Sequence, residues 1–276
     1  MIPPWSDIVR HALMQDLGRG DLTTNILVPA KQKAEAVLIA REDLVACGLP
    51  VVAEVFHQLD ERIRMLPEKP DGGGVCAGNT ICTITGPARG ILTGERVALN
   101  FFQNLSAVAT QTRRFVEKVE GLPVRIVDTR KTTPGLGPLQ KYAVRTGGGH
   151  NHRQGLDDGV LVKENHLALA GGVREAVKRL RETVSHLMRI EVECETLEQV
   201  REALDEGVEA ILLDNMDLET MRRAVAIAGG KALLEASGNV TLANVREVAE
   251  TGVDLISVGA LTHSAGSVDV SLRVTV

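Results

Sequence analysis

The chain has 276 residues, of which 44% are hydrophobic, 24% charged and only 2% aromatic. This composition is that of a globular protein whose core must be filled by Val, Leu, Ile and Ala, as in a parallel sheet covered by helices. The net charge of −5 gives no overall basic surface, so we expect no nucleic-acid partner. No apolar run reaches the roughly 18 residues that a membrane-spanning helix needs, so we expect no membrane partner.

The first residues and the cysteines indicate a cytoplasmic protein. Residues 1–7 show no basic segment followed by an apolar run, so no signal peptide is expected. The cysteines form no CxxC pair, and we expect all of them to be reduced: Cys47, Cys76, Cys82 and Cys194.

Residues 1–105 are expected to form a small α+β domain. Hydrophobic periodicity predicts helices at Asp7–Asp16 and Pro50–Gln58, and strands at Ala34–Ala40, Arg62–Leu66 and Thr80–Thr85. Asp16–Thr24 is rich in turn-forming residues and is expected to be irregular. The last segment, Thr93–Val119, has a helical pattern that fits one helix or two.

From residue 124 onward the pattern changes to regular βα units, which predict a parallel sheet. The expected strands are Val124–Asp128, Gly159–Lys163, Leu187–Glu193, Ala210–Asp214, Ala232–Ser237 and Asp254–Gly259. The expected helices are Leu139–Thr146, Gly172–Val184, Leu197–Glu206, Leu218–Ala228 and Leu242–Glu250. Nearly every strand ends near a charged residue, which favours an α/β barrel, because barrels carry their active sites at the C-terminal strand ends.

The alternative architecture is an open doubly wound sheet, which also binds ligands at its carboxyl edge. No Gly-x-Gly-x-x-Gly motif opens a helix after the first strand, which weakens a dinucleotide-binding interpretation. Gly147–Gly149 lacks that spacing and is expected to be a turn after a helix.

The segment Thr129–Leu156 is basic and contains no Asp or Glu. Its cationic side chains, accompanied by His150 and His152, are Arg130, Lys131, Lys141, Arg145 and Arg153. A solvated loop is the common explanation of such a run, but this run begins at a strand end and does not mix signs. Because arginine forks bind carboxylates and phosphates through two hydrogen bonds, we expect a polyanionic substrate here.

Later strand ends supply the remaining features of the predicted site. Glu193 and Asp214 end consecutive strands, and carboxylates beside a phosphorylated ligand favour Mg²⁺, with a salt bridge to Lys163 or Arg153 as the structural alternative. Ser237–Asn239 and Val258–Ala260 follow the last two strands, where barrels commonly bind phosphate through backbone N–H groups.

Ordered motifs along nearly the whole chain, from Asp16–Asp21 to Gly259–Ser264, resemble the quinolinate phosphoribosyltransferase family. The most specific motifs are Asp128–Leu136, Lys141–Val144, Gly147–Gly149, Asn151–Arg153 and Lys163–His166. The resemblance implies Mg²⁺-dependent transfer of phosphoribosyl from phosphoribosyl pyrophosphate (PRPP) to quinolinate. The expected products are pyrophosphate, CO₂ and nicotinate mononucleotide, in NAD biosynthesis.

The same resemblance implies an N-terminal α/β sandwich (1–105 with the tail 268–276) and an incomplete, open α/β barrel (106–267). It further implies a homodimer in which each N-terminal domain covers the partner's barrel mouth.

Individual roles also follow from the resemblance. Quinolinate would contact Arg130, His152, Arg153 and Lys163, the loop residues Thr129 and Lys131, Lys141, and Arg96 of the partner subunit. PRPP would be bound by Glu193 and Asp214, through its ribose hydroxyls and Mg²⁺, and by Ser237, Gly238, Asn239, Val258, Gly259 and Ala260 at its 5′-phosphate. Two positions depart from the family pattern, because Gly137 replaces a usual arginine and Gln140 a usual glutamate.

Three alternative functions remain open. One is a related branch associated with molybdenum utilisation, which shares the fold. Another is a non-catalytic relative that binds a phosphorylated metabolite, and the third is a barrel aldolase that uses Lys163 as a Schiff base. The intact Asn151–Arg153 and Lys163–His166 motifs favour the quinolinate enzyme over the first. The presence of both candidate Mg²⁺ carboxylates, Glu193 and Asp214, argues against the second, and we expect no Schiff base of the third kind.

Overall fold

A computed structural model describes residues 5–275 and divides them into two compact units. The first unit consists of residues 5–113, Thr132–Gly148 and residues 262–275, and the second of Arg114–Lys131 and Gly149–Leu261. Two earlier predictions fall partly outside the described residues. They concern residues 1–4, for which no signal peptide was expected, and Val276, the last residue of the expected C-terminal tail. The expected domain boundaries after residues 105 and 267 stay a prediction.

The helices and strands alternate along most of the chain. In chain order they are α1 Ser6–Leu17, α2 Leu22–Leu27, β1 Lys33–Ala40, β2 Leu44–Val45, α3 Leu49–Leu59, β3 Arg64–Pro67, β4 Gly74–Val75, β5 Thr80–Pro87 and α4 Ala88–Lys118. There follow β6 Arg125–Val127, α5 Gly137–Thr146, β7 Val160–Val162, α6 Glu164–Ala170, α7 Val173–Thr183, β8 Ile190–Cys194, α8 Leu197–Asp205, β9 Ala210–Asp214, α9 Leu218–Ala228, β10 Leu233–Ser237, α10 Val245–Ala249, β11 Leu255–Ser257, α11 Ala260–His263 and β12 Val270–Thr275.

The first unit is built on an antiparallel sheet with the strand order β12-β1-β5-β3. The tail that the resemblance assigns to the N-terminal domain thus contributes the edge strand beside β1, with Leu272 opposite Leu38. Alternate residues of β1 are buried, including Ala36 and Leu38, as expected for a sheet that buries one face. The small strands β2 and β4 form a separate antiparallel pair.

The second unit confirms the predicted mixed α/β fold with a parallel sheet. Six parallel strands follow the order β6-β11-β10-β9-β8-β7. Among the described residues, β6 and β7 each have a single sheet neighbour, so the barrel is open. Its strands are aliphatic and buried, as in β9, where Ile211 and Leu213 are inaccessible to solvent.

Some element predictions are confirmed and others are wrong. Strand β9 and helix α9 have the expected bounds, and Gly147 and Gly148 form a turn closed by N–H bonds to the carbonyls of Ala143 and Arg145. The interval Asp16–Thr24 is not wholly irregular, because Asp21 accepts the N–H of Thr24 and caps α2.

The long helical pattern after residue 92 belongs to one uninterrupted helix, α4, which already starts at Ala88. Gly94 does not break it. A Cβ atom there would lie 2.7 Å from Leu59 and 2.9 Å from Phe56, so this glycine permits close packing of α4 on α3. Helices α6 and α11 and strands β2 and β4 were not predicted, because two to seven residues are too few to show periodicity.

Strand bounds at the predicted site also differ from expectation. Strand β8 starts three residues later than predicted and runs past Glu193 to Cys194, so Glu193 is its penultimate residue rather than its end. The first barrel strand ends at Val127, one residue before Asp128. The four cysteines are free thiols. Within residues 5–275, no helix combines the length and apolarity needed to cross a bilayer.

Candidate active site

A pocket of about 310 Å³ opens in the second unit among residues at the C-terminal halves of the barrel strands. Each strand of the sheet or the loop after it contributes to the wall, as is usual for active sites of α/β barrels. The lining residues are Thr129, Arg130, Lys131, His152, Arg153, Leu161, Lys163, Glu193, Leu212, Asp214, Glu235, Ser237 and Ser257.

The predicted site residues divide into those that line this pocket and those that lie elsewhere. Gly238 and Asn239 directly follow the lining residue Ser237, and residues 258–260 directly follow the lining residue Ser257. Arg96 on α4 and Lys141 on α5 belong to the first unit, where Lys141 is only 3% exposed. Their roles in the site stay predictions.

Buried Asp128 holds together two parts of the basic segment. One carboxylate oxygen accepts an N–H bond from the amide of Asn151 at 2.5 Å, and the other accepts the backbone N–H of His152 at 2.9 Å. The backbone of residue 128 also donates to the carbonyl of His150 at 3.1 Å. Asp128 therefore fixes the loop that carries His152 and Arg153 against the end of β6.

Two arginines form a positively charged wall with few internal partners. One guanidinium nitrogen of Arg153 donates to the carbonyl of Gly159 at 3.0 Å. Burial and the neighbouring Arg130 lower the pKa of Arg153, while Glu191 partly opposes this shift. Within the described part of the chain, no carboxylate lies within ion-pair distance of Arg130 or Arg153. The wall is therefore suited to an anionic ligand.

Lys163, directly after β7, contributes a further cation to the pocket. Its ammonium lies 3.1 Å from the carboxylate of Glu193, and 49% of its side chain is exposed. The following helix, α6, fixes its backbone, because Nδ1 of His166 accepts the N–H of Lys163 at 3.0 Å. The ion pair stabilises a charged ammonium, whereas a Schiff-base lysine needs a neutral amine. The geometry therefore gives no support to the aldolase hypothesis.

The loops after β9 and β10 are tied to each other by asparagines. The amide of Asn215 donates to the carboxylate of Asp214 at 2.9 Å, and the amide of Asn239 donates to Asn215 at 3.0 Å. Both asparagines have positive φ angles, 53° and 52°. The φ of +97° at Gly238 favours glycine, and a Cβ atom there would overlap Oδ1 of Asn215 and force that side chain to move.

Glu193 and Asp214 present carboxylates from neighbouring strands β8 and β9 on the pocket wall. Carboxylate oxygens are hard ligands that suit Mg²⁺, which commonly binds one or two carboxylates together with phosphate oxygens. The residues present therefore fit the predicted metal.

Glu191 and Glu235, to which the sequence analysis gave no role, form a buried cluster with His152 at this pocket. Nε2 of His152 lies 3.1 Å from a carboxylate oxygen of Glu191 and 3.6 Å from one of Glu235. Burial and the charge of Glu191 raise the pKa of Glu235 to about 7, while His152 and Ser257 partly oppose this shift. The second oxygen of each carboxylate is buried and has no hydrogen bond within the described residues.

A period-2 pattern could have revealed this cluster. Glu191 precedes Glu193 by two positions, and Glu235 precedes Ser237 by two, so each pair projects from one face of its strand. Isolated acids inside otherwise aliphatic strands are costly unless a site requires them.

The two departures from the family pattern lie in and before α5. Gly137 is the first residue of α5, and a Cβ atom there would meet the Thr132 hydroxyl at 3.3 Å. Buried Gln140 accepts the N–H of Thr133, and its amide nitrogen donates to the Thr133 hydroxyl and the carbonyl of Thr262, each at 3.1 Å. A carboxylate at position 140 could accept from Thr133 but could not donate to the carbonyl of Thr262, so the amide supplies one bond that a glutamate would lack.

Comparison with known families decides the family of the chain. Residues 21–106 match the N-terminal domain of quinolinate phosphoribosyl transferase, and residues 108–273 match its C-terminal domain. The chain belongs to the quinolinate phosphoribosyltransferase family. Its predicted family resemblance is thereby confirmed over nearly the whole chain.

Full-length relatives agree with this family. A probable nicotinate-nucleotide pyrophosphorylase [carboxylating] of Bacillus subtilis is 42% identical, over 97% of this chain and 92% of the relative. A protein with the same name from Synechocystis is 44% identical, over 99% of this chain and 94% of the relative. The crystal structure of nicotinate-nucleotide pyrophosphorylase from Ehrlichia chaffeensis has a TM-score of 0.95 at 42% identity and covers 100% of both chains.

Proposed function

We propose that this protein is a quinolinate phosphoribosyltransferase, which forms nicotinate mononucleotide, pyrophosphate and CO₂ from quinolinate and PRPP in NAD biosynthesis. The observation that carries the proposal is a pocket with a wall of arginines beside a pair of carboxylates. The family of the chain and the names of its full-length relatives support the same activity.

The arginine wall suits quinolinate, whose two adjacent carboxylates lie on a pyridine ring. Arg130 and Arg153 lack carboxylate partners among the described residues, so each can bind a ligand carboxylate with its guanidinium fork. Lys131, Lys163 and Thr129 line the same pocket and would complete the anion site. His152 would support this wall, because its Nδ1 accepts the backbone N–H of Arg153 at 2.8 Å.

The opposite wall suits PRPP. Glu193 and Asp214 would hold Mg²⁺ and the ribose hydroxyls, and Lys163 would exchange its ion pair with Glu193 for a ligand anion. The 5′-phosphate would bind at the loops Ser237–Asn239 and Val258–Ala260, which follow neighbouring strands β10 and β11. Glycines at positions 238 and 259 have no side chain that would hinder the approach of a phosphate to the backbone.

In the proposed reaction, the pyridine nitrogen attacks C1 of the ribose while the bond from C1 to pyrophosphate breaks. Mg²⁺ supplies charge neutralisation of the leaving pyrophosphate when bound. The bond between C2 and its carboxylate then breaks and CO₂ leaves, and the electron pair stays on C2, where the positive charge of the adjacent quaternary nitrogen stabilises it. A proton subsequently replaces CO₂ at C2. The side chains provide positioning and preorganised charge, and no protein nucleophile takes part.

The protein is further proposed to act as a cytoplasmic homodimer. By the sequence resemblance, Arg96 of the partner subunit would reach the quinolinate pocket, and Lys141 would add a further cation. Four free cysteines are consistent with a reducing compartment.

Product analysis tests the proposal directly. The purified protein with PRPP and Mg²⁺ should convert quinolinate to nicotinate mononucleotide, and a chelator should stop the reaction. Nicotinate, which lacks the 2-carboxylate, should react far more slowly and is the matched control substrate. Binding of both substrates by folded protein without turnover would instead support a non-catalytic relative.

A further inference from the structure

The ring of His152 has a defined tautomer in this structure. Nδ1 accepts the backbone N–H of Arg153 at 2.8 Å, so Nδ1 must offer a lone pair rather than a proton. In the neutral ring the proton then resides on Nε2, which faces Glu191 at 3.1 Å and Glu235 at 3.6 Å. The ring therefore links the two buried glutamates to the backbone of an arginine in the pocket wall.

The same cluster has the composition of a metal site, because its three ligand atoms lie within 4.8 Å of one another. A metal would need the lone pair of Nε2, and the ring proton would then have to move to Nδ1. That position is blocked by the N–H of Arg153, which already points at Nδ1. The tautomer therefore favours a proton between these side chains over a cation.

The charges in this cluster favour protonation of one of its two carboxylates. One N–H of His152 faces two carboxylates through one oxygen of each. The other oxygen of each carboxylate is buried without a hydrogen bond among the described residues. Glu235 is only 2% exposed and is the more buried of the two. Two other acids lie near it, Glu191 on β8 and Asp128 after β6. Its remaining neighbours are His152, the Ser257 hydroxyl on β11 and the apolar Leu212 on β9. A second negative charge in this place is poorly compensated.

We propose that Glu235, as a neutral carboxylic acid, is a positioning residue for the dicarboxylate pocket. In this form it lies beside Glu191 and fixes the ring of His152, which in turn fixes the backbone at Arg153. Ionised Glu235 would add a negative charge beneath a pocket that must bind a dianion. This inference rests on the proposed binding of quinolinate, and it adds the protonation state of a buried residue that acts through His152.

Proton uptake follows from this arrangement. Quinolinate brings two negative charges to the pocket and therefore favours the protonated form of Glu235. Above neutral pH, where part of Glu235 is ionised in the free protein, binding should take up a proton. The KM for quinolinate should consequently rise with pH, whereas the KM for PRPP should change less, since the contacts of Glu235 lead through His152 to Arg153 rather than to Glu193 or Asp214.

The experiment measures the KM for quinolinate between pH 6 and pH 8.5 in the holoenzyme with Mg²⁺ and PRPP. In the wild type the KM should rise on the order of tenfold, as expected for one charge within the pocket wall. Glu235→Gln, which mimics the neutral acid, should make the KM nearly independent of pH. Glu235→Ala should raise it at every pH, and the control Glu198→Gln, at an exposed site on α8, should follow the wild type.

Calorimetry of quinolinate binding in two buffers of different ionisation enthalpy adds a readout independent of turnover and of any variant. The wild type should take up a substantial fraction of one proton near pH 7.5. No proton uptake by the wild type, or a Glu235→Gln variant that keeps the wild-type pH profile, overturns the inference. Proton uptake on binding without any turnover would instead overturn the proposed function and leave this inference standing.

Discussion

Replacement of Arg153 by alanine should weaken quinolinate binding selectively. The Arg153 side chain is held beside Arg130 and donates within the protein only to the carbonyl of Gly159 among the described residues. A ligand carboxylate would add two charge-assisted hydrogen bonds of about 1.5–3 kcal/mol each. The variant loses these bonds, but it also loses the repulsion between Arg153 and Arg130, which offsets part of the cost. The net loss of binding free energy is about 3 kcal/mol, which corresponds to a rise in the dissociation constant on the order of 100-fold.

Calorimetric titration of quinolinate and, separately, of PRPP with Mg²⁺ measures this selectivity. The dissociation constant of PRPP should change by less than about threefold, because its proposed site lies at other strands. Arg153→Lys keeps the charge but loses the planar fork, so its effect should be intermediate, about tenfold. Arg174→Ala, which removes an exposed arginine paired with Glu206 on the second unit, is the matched control and should change neither constant. An equal loss of affinity for both ligands would refute the assignment of Arg153 to the quinolinate wall.

The remaining predictions concern stability and the PRPP wall. The pKa of Glu235 is raised from 4.5 to about 7 in the folded state, so stability should fall by about 3 kcal/mol as pH rises through this range. Glu235→Gln should flatten this part of the curve in urea titrations, and an unchanged slope would exclude Glu235 as its cause. Gly238→Ala should raise the KM for PRPP about tenfold or more, because its Cβ would lie 2.1 Å from Asn215. The control Gly230→Ala has a similar φ of +78° but no atom within 4 Å and should leave that KM unchanged, so equal kinetics of the two variants would contradict the loop assignment. Asp214→Asn should raise the Mg²⁺ concentration needed for half-maximal rate and leave quinolinate affinity intact, and a loss confined to quinolinate would show that Asp214 serves the other wall.

The barrel strands were predictable because each is a short aliphatic run with a helix of ordinary length behind it. Ala210–Asp214 illustrates this, since four buried residues are followed by a charged one, a pattern that predicts a buried strand with a polar end. The position of the pocket followed from the same pattern, because parallel strands bring their carboxyl ends to one edge. Glu193 and Asp214 line the pocket for this reason.

The basic segment Thr129–Leu156 shows where sequence reasoning stops. The absence of acids in that run predicted one cationic surface, yet the run is divided between the two units, with residues 132–148 in the first and the flanking residues in the second. Lys141 is buried on α5, which its charge gave no reason to expect. Residues that follow one another in the sequence can therefore share a charge pattern and still lie in different units of the structure.

The glutamate cluster was missed for a related reason. The sequence does not show whether a glutamate on a strand faces water or a buried histidine. The protonation of such a glutamate depends on neighbours from other strands. Glu191 and Glu235 lie 44 positions apart in the sequence and meet only because β8 and β10 flank β9 in the sheet. The pairing of these strands, rather than either local sequence, creates the cluster.

The central claim is tested most directly by quinolinate labelled in its 2-carboxylate. With PRPP and Mg²⁺, the protein should release one labelled CO₂ for each pyrophosphate and each nicotinate mononucleotide formed. Labelled CO₂ should not appear when PRPP is omitted, because the nitrogen must be quaternised before the carboxylate leaves. Folded protein that binds both substrates but releases neither CO₂ nor pyrophosphate would contradict the proposed activity.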